Sequence, residues 1–226
     1  MVEGVGNMNK IPKLDEFTMG GLIAVKERII DDSGKKELLW SQRSIDKSIE
    51  RAELREVVGY KRTTPYLYEA LDDWPVENHD SLVLGSASPH YEGILLARGV
   101  RRIVTVDYRK ITCPDPRIIT TTTVPPVLVN SVLSVSSIEH SGMGRYGDAI
   151  DPDADLKIMS RLLEVTMPAG LFFLSVPIAD KDQLVWNAGR IYGPIRLPVL
   201  LKGWVQVAEY GHDAGQPVIV LRKPLE

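Results

Sequence analysis

The chain is poor in cysteine, with Cys113 alone among 226 residues, and this excludes an internal disulfide framework and a cysteine-based metal cluster. Long hydrophobic runs are missing as well, since the apolar stretch at 197–201 is far shorter than a membrane span. No apolar segment typical of a secretory signal occurs near the amino terminus. These absences predict a cytoplasmic protein with no membrane partner.

An excess of positive charge is also missing. The formal net charge is −3, which argues against a nucleic-acid backbone as the main partner. With 44% hydrophobic and 25% charged residues, the chain has the composition of an ordinary globular domain that can bury a core of its own. The class of protein must therefore be read from the order of its segments.

The most informative segment spans residues 81–107. An apolar strand is followed by a turn of small residues at Gly85, a helical stretch, a second apolar strand and then Asp107. In a right-handed βαβ unit, this spacing returns the carboxylate to the first turn, where it can accept both hydroxyls of a ribose. The pattern predicts a nucleoside-containing cofactor. A βαβ unit without any ligand stays open as the alternative.

Strands and helices continue to alternate beyond this unit. The pattern predicts strands at 117–120, 131–135 and 171–176, a helix capped by Ser88, and a helix after Asp151. Such alternation is typical of a Rossmann-like α/β fold, with a mostly parallel twisted sheet covered by helices on both faces. Two final strand-like runs, at 204–210 and 217–221, predict an antiparallel hairpin at one edge. That ending disfavours a nicotinamide-dependent dehydrogenase.

The first part of the chain lacks this alternation. Helices are predicted near 22–29, over 44–57 and from Thr64 onward. Their apolar positions are too few to form a separate core, so these helices must pack on the sheet. We therefore predict a helical lid segment over residues 1–78, covering the cofactor edge, and a cofactor-binding domain over residues 79–226.

With these parts in order, residues 80–222 resemble the class I S-adenosylmethionine-dependent methyltransferases. Residues 82–87, Leu-Val-Leu-Gly-Ser-Ala, look like the first motif of that family, and residues 105–107, Thr-Val-Asp, look like the second. Residues 132–140 are similar to the fourth strand of a subgroup with an Ile-Glu-His signature, and residues 158–177 are similar to its following passage. The segments 136–151 and 185–204 look like an uncharacterised methyltransferase-like family.

The resemblance implies S-adenosyl-L-methionine as cofactor and methyl transfer to an O or N nucleophile of a small molecule. It implies cofactor contacts from Gly85, Ser86, Ala87, Ser88, Asp107, Tyr108 and Ser136. The chain departs from the family pattern at Val83, which stands in place of an acid, and at Ala87 and Pro89, which stand in place of glycines. No acid for the adenine amino group occurs at 120–123. A catalytically silent, methyltransferase-like binding module is therefore the alternative.

Two polar residues, Glu139 and His140, follow the fourth strand at the edge where ligands of open α/β sheets bind. His140 is the predicted base for an acceptor hydroxyl or amine, because its ordinary pKa lies near neutrality, and Glu139 is predicted to orient it. The alternative is a packed pair at a helix entry. Related enzymes with a Glu-x-x-Glu-His run hold a divalent ion, but Ser136 replaces the first Glu here, so no metal is predicted.

The predicted acceptor pocket draws on two further segments. The loop at 141–148 contains three glycines together with Arg145 and Tyr146, which gives it both flexibility and polar reach. Its alternative interpretation is a surface loop with a solvated arginine. After the fifth strand, Asn187, Arg190 and Tyr192 reach the same edge of the sheet and are predicted to close the pocket.

Overall fold

The computed structural model describes residues 11–34 and 37–225. Helices are α1 Leu14–Phe17, α2 Gln42–Glu53, α3 Thr64–Asp73, α4 His90–Ala97, α5 Ala154–Val165 and α6 Leu197–Leu200. Strands are β1 Ala24–Arg28, β2 Glu37–Leu39, β3 Asp80–Leu84, β4 Arg102–Val106, β5 Lys110–Thr112, β6 Ile118–Thr121, β7 Val129–Val135, β8 Thr166–Ser175, β9 Gln183–Asn187, β10 Gly189–Ile191, β11 Val205–Tyr210 and β12 Val218–Arg222. No helix among these residues is long and apolar enough to cross a membrane.

Seven strands form the main sheet in the order β11-β12-β8-β7-β3-β4-β6. The five strands from β8 to β6 are parallel, and β12 runs antiparallel between β8 and β11. The central strands are almost entirely buried because a parallel sheet is covered on both faces. The mostly parallel sheet and the carboxy-terminal antiparallel hairpin are both confirmed.

Helices cover both faces of this sheet. Successive strand residues point to opposite sides, so Val83 packs with α2, α3 and α4, whereas Leu82 packs with α5 and α6. On the first side, Ile45 of α2 and Leu67 of α3 are fully buried. The amino-terminal helices are thus part of the core on one face of the sheet. The lid role of residues 1–78 stays a prediction.

The helix predicted near residues 22–29 is wrong, because β1 lies there. This strand pairs in parallel with β9, which in turn pairs with β10 to make a three-stranded sheet. Most of β1 is exposed, so its local sequence carries little of the pattern that identifies a strand. Its conformation depends on a partner far along the chain, and such tertiary pairing overrides local propensity.

The predicted helix starts also need correction. Ser41 caps α2, accepting a hydrogen bond from the Ser44 N–H, while the Ser44 hydroxyl accepts one from the Ser41 N–H. At α4 the cap position is Pro89, and Ser88 makes no capping hydrogen bond with its side chain. Ser88 therefore stands one residue outside the helix, on the turn that follows β3.

Candidate functional site

A cavity of about 1060 Å³ opens at the carboxyl ends of β3, β4 and β7. In the sheet, β3 lies between β4 and β7, so the strand order reverses there, which is where open α/β sheets bind ligands. Residues 58–60 and 188–191 also line the cavity. Its volume is sufficient for a ligand of nucleoside size.

The turn after β3 is held in one conformation by Gly85. Its φ of +77° lies in the left-handed region, and a Cβ there would come within 2.0 Å of the Ser137 Oγ. Both facts require glycine at this position. Ala87 does not have a positive φ, so alanine is compatible with the turn. Ala87 and Ser88 are exposed on the cavity wall.

Glu92 contacts this turn from α4, and sequence reasoning did not identify it. The side chain is fully buried in α4 and bonds to two hydroxyls, Ser86 Oγ at 2.9 Å and Thr105 Oγ1 at 2.8 Å. Burial raises the pKa of the Glu92 carboxyl to about 7. A charged residue within the apolar run of α4 was the available signal, because such a residue is buried only when it has partners.

Asp107 ends β4 on the cavity wall, but both of its oxygens are already engaged. Oδ2 accepts from the Ser86 N–H at 2.9 Å, and Oδ1 accepts from the Arg109 N–H at 2.9 Å. The Arg109 guanidinium also donates to both oxygens, at 2.7 and 2.8 Å. A ribose can take up this carboxylate only when the guanidinium leaves. Sequence reasoning did not identify Arg109.

Glu139 and His140 form a 3₁₀ turn after β7, and both line the cavity. Ser136, with a positive φ of 51°, donates its hydroxyl to Glu139 Oε1 at 2.6 Å. The other oxygen, Oε2, is buried and has no hydrogen-bond partner within the described part of the chain. The ring of His140 lies against Ala188, with its Nδ1 at 2.5 Å from the carbonyl oxygen. Ser136 therefore positions Glu139 as well as lining the cavity.

The environment shifts the pKa values of this pair in opposite directions. Burial raises the pKa of Glu139 to about 7, against the opposing effects of the Ser136 hydroxyl and two arginines. Burial, assisted by the positive charge of Arg145, lowers the pKa of His140 to about 4. At neutral pH the imidazole is uncharged. Since Nδ1 faces a carbonyl, that nitrogen carries the hydrogen and Nε2 keeps its lone pair.

The glycine-containing loop at 141–148, which follows this turn, is held in place by hydrogen bonds. Asp148 accepts hydrogen bonds from the backbone N–H groups of Gly142, Gly144 and Tyr146. Arg145 donates to Asp32 at 3.0 Å and stacks on the Tyr146 ring at 5.0 Å. This loop therefore closes one side of the cavity as a fixed wall.

The three residues predicted after the fifth strand are not all brought to the pocket. Arg190 lines the cavity, but it is buried and bonds to the carbonyls of Ser141 and Pro152. Asn187 bonds to the Ile30 N–H and is not part of the lining. Tyr192 is fully buried, with its hydroxyl on Asp155. Asn187 and Tyr192 thus lie outside the cavity lining, because their polar groups join segments of the fold, and their contact with an acceptor stays a prediction.

The tyrosine next to Asp107 and the one in the glycine-containing loop lie together. The Tyr108 and Tyr146 rings stack with centroids 6.0 Å apart. Arg109 lies 5.9 Å from the centroid of the Tyr146 ring, so the aromatic pair and the Asp107 ion pair share one wall. The structure thereby brings Tyr108, Asp107 and Tyr146 into one part of the cavity.

Solved structures that are similar to this chain include methyltransferases. The 1,6-didemethyltoxoflavin-N1-methyltransferase of Burkholderia thailandensis, with S-adenosylhomocysteine bound, matches with a TM-score of 0.53 at 17% identity over 78% of each chain. The N-methyltransferase NodS of Bradyrhizobium japonicum, also with S-adenosylhomocysteine, matches with a TM-score of 0.52 at 14% identity over 80% of this chain and 99% of that one. The chain therefore has the class I methyltransferase fold.

The family of the chain is shown by its sequence. Residues 78–225 match the model of a family described as "Caenorhabditis protein of unknown function, DUF268", and the chain belongs to this family. No curated protein matches the chain. The closer resemblance to an uncharacterised methyltransferase-like family is thus confirmed, and the family itself brings no substrate.

Proposed function

We propose that this protein binds S-adenosyl-L-methionine in the cavity and transfers its methyl group to an O or N nucleophile of a small molecule. The observation that carries the proposal is the pairing of the Gly85 turn with Asp107 at the point where the strand order reverses. The methyltransferase neighbours, two of which hold S-adenosylhomocysteine, support it.

The residues present fit this cofactor with one rearrangement. Asp107 would hold the two ribose hydroxyls in place of the two guanidinium N–H groups of Arg109, and it would keep its bond from the Ser86 N–H. The turn from Gly85 to Ser88 lies next to the amino-acid portion, where dense glycine is not needed because no pyrophosphate is bound. Tyr108 and Ser136 complete the predicted cofactor contacts.

The bound sulfonium supplies a methyl group that is already activated for displacement. The chain's own contribution is to align the acceptor with that group and to exclude water. The Glu139 carboxylate accepts a proton from an acceptor that arrives protonated, and the neutral His140 ring accepts a hydrogen bond from it. Arg145 and Tyr146 form the fixed wall against which the acceptor is held.

A pair of matched variants tests the cofactor assignment. Asp107→Ala is expected to weaken S-adenosylhomocysteine binding by about 1.5 to 3 kcal/mol in calorimetry, since a charge-assisted contact is lost. Asp115→Ala is the control, because Asp115 makes the same bonds to Arg117 but does not line the cavity. Equal affinity in the two variants, or preferential binding of NAD by the parent protein, contradicts the proposal.

The second candidate is a methyltransferase-like module that has lost catalysis. One observation favours it: the Arg109 guanidinium occupies the carboxylate that a cofactor needs. A silent module of this kind binds neither S-adenosylmethionine nor its demethylated product. Thermal-shift measurements with both compounds therefore separate the two candidates.

A further inference from the structure

Two hydrogen-bond acceptors on the cavity wall have no partner among the described residues. The first is Oε2 of Glu139, a residue that is 1% exposed. His140 uses Nδ1 as the donor to the Ala188 carbonyl, which leaves the lone pair of Nε2 unused. A buried acceptor without a hydrogen bond is unfavourable, so a ligand that supplies a donor to Glu139 Oε2 is favoured there.

The two side chains lie together and are held in place. His140 Nε2 is 3.7 Å from Glu139 Oε1. Gly189 backs both groups, since a Cβ at that position would lie 2.9 Å from His140 Nδ1 and 3.4 Å from Glu139 Cγ. The Ser136 hydroxyl donates a hydrogen bond to Glu139 Oε1 and holds the carboxylate in place. Both residues line the cavity, and their side chains form a preorganised unit.

The nearby cations leave the Glu139 Oε2 atom without a donor. Arg145 donates to Asp32 and to the Ala188 carbonyl, and one of its terminal nitrogens lies 3.5 Å from His140 Nδ1. Arg190 donates to the backbone carbonyls of Glu139, Ser141 and Pro152. Neither makes a hydrogen bond to Glu139 Oε2, so a bound molecule can supply the missing donor.

We infer that the methyl acceptor presents a primary amine, which donates its N–H groups to Glu139 Oε2 and His140 Nε2. This inference rests on the proposed function and names its substrate class. A hydroxyl has one hydrogen and satisfies one of the two acceptors, whereas a carboxylate or phosphate has none and meets the Glu139 oxygen without a donor. A primary amine has two N–H groups, or three when it is protonated.

The transfer step balances with these residues. The amine arrives as an ammonium near neutral pH and first gives one proton to the Glu139 carboxylate. The freed nitrogen lone pair then forms the new bond to the methyl carbon of the sulfonium donor, the carbon–sulfur bond breaks, and sulfur keeps its electron pair as a thioether. The product is the methylated ammonium, and Glu139 afterwards releases its proton to solvent. A carboxyl whose pKa is raised to about 7 is matched to proton transfer near neutrality, and the His140 ring stays neutral as a hydrogen-bond acceptor.

The test measures binding rather than turnover. Benzylamine, benzyl alcohol and benzoate, with hexylamine, hexanol and hexanoate as an aliphatic set, are titrated by NMR into the protein loaded with S-adenosylhomocysteine. The variant Glu139→Gln replaces the free oxygen by an amide of the same shape. Glu69→Gln, on the exposed side of α3, is the matched control.

The amines are expected to bind the parent protein about tenfold or more tightly than the alcohols and acids, and Glu139→Gln should remove that preference. The variant and the control should bind S-adenosylhomocysteine like the parent. The comparison within the parent protein stands even if Glu139→Gln fails to fold. Absence of amine binding, equal binding of alcohols, or a preference that survives in Glu139→Gln overturns the inference while leaving the cofactor assignment intact.

Another outcome would assign Glu139 Oε2 to the cofactor rather than to the methyl acceptor. Loss of S-adenosylhomocysteine affinity in Glu139→Gln, with unchanged binding of 5′-methylthioadenosine, means that Glu139 holds the ammonium of the cofactor's amino-acid portion. That result overturns the amine-acceptor assignment. If the parent protein binds no S-adenosylhomocysteine at all, the proposed function fails and the inference falls with it.

Discussion

The position of Asp107 is predicted from the sequence, but the hydrogen bonds that already engage its carboxylate are not. Its position at the end of β4 follows from the spacing within the βαβ unit, but its four hydrogen bonds do not. The chain repeats the same local arrangement at Asp115, where the N–H, Nε and terminal nitrogen of Arg117 bond to one carboxylate. An Asp-x-Arg pair is thus a self-contained unit, and at Asp107 it lies where a ligand is expected.

This overlap leads to a prediction for Arg109. Arg109→Leu is expected to tighten S-adenosylhomocysteine binding about three- to tenfold, because the ribose no longer competes with a charge-assisted pair that is partly shielded from solvent. Isothermal titration calorimetry measures the change, and Arg117→Leu, which lies away from the cavity, is the control. Weaker binding in Arg109→Leu shows instead that the guanidinium itself holds the cofactor.

At the scale of the element, the turn after β3 depends on close packing as much as on backbone conformation. Gly85 has a positive φ and lies directly against Ser137, which belongs to the segment after β7. The two turns that border the cavity are therefore fitted to each other. A change in one is transmitted to the other.

Gly85→Ala separates these two effects when it is compared with Gly215→Ala. Gly215 has a similar φ, +71°, with nothing within 4 Å of an added Cβ, so its variant should lose only about 1 to 2 kcal/mol of unfolding free energy. Gly85→Ala should lose about 1 to 3 kcal/mol more through the clash with Ser137. Urea denaturation measures both.

Adding Ser137→Gly to Gly85→Ala should recover the part of the loss that is due to the clash. If the double variant is no more stable than Gly85→Ala, strain in the backbone alone accounts for the requirement for glycine. This double-mutant comparison is informative because the two residues are in direct contact, and the stability changes of contacting residues do not add.

The sequence predicted the strands whose own residues carry the burial pattern. Strands β3, β4 and β7 are rich in apolar residues and almost entirely buried, and the predicted bounds agree with the observed ones to within one or two residues. Short strands such as β1 and β2 are largely exposed and exist because of remote partners, so a local pattern could not reveal them. The same contrast applies to the site. Gly85 and Asp107 follow from local spacing, whereas the partners of Tyr192 and Glu92 become visible only after folding.

For the molecule as a whole, the amino-terminal helices are inseparable from the sheet. Ile45, Leu67 and Leu71 belong to the same buried cluster as Val83. Helices α2 and α4 approach so closely that a Cβ at Gly93 would lie 2.5 Å from the Ser48 Cβ. Among the residues of this part of the chain that the structure describes, Arg28, Asp32 and the loop at 58–60 line the cavity.

A form of the protein that begins near Asp80 is therefore expected to aggregate and to lose S-adenosylhomocysteine binding, because one face of its sheet is uncovered. Light scattering after size-exclusion chromatography and calorimetry provide the two measurements. A truncated form that stays monodisperse and binds normally contradicts both this packing argument and the lid proposal, and gives residues 1–78 a separate purpose.

The free energy of unfolding of the whole molecule should depend on pH through Glu92, the buried acid that bonds to the turn after β3. Glu92 is fully buried, and its pKa is raised from 4.5 to about 7, with burial as the largest cause. The folded state thus binds this proton more tightly than the unfolded chain does. The stability that Glu92 contributes must fall as pH rises from about 4.5 to about 7, and must be constant above that range. His140, whose pKa is lowered, acts in the opposite direction over part of the same range.

The variant Glu92→Gln isolates the contribution of Glu92, because glutamine does not ionise and the other titrating groups are common to both proteins. Its unfolding free energy relative to the parent is expected to rise by up to about 3 kcal/mol between about pH 5 and about pH 8. Urea denaturation across this range measures the difference, with the exposed Glu69→Gln as a control that should show no such trend. A difference that does not vary with pH means that Glu92 is ionised throughout, and that the Ser86 and Thr105 hydroxyls compensate fully for its burial.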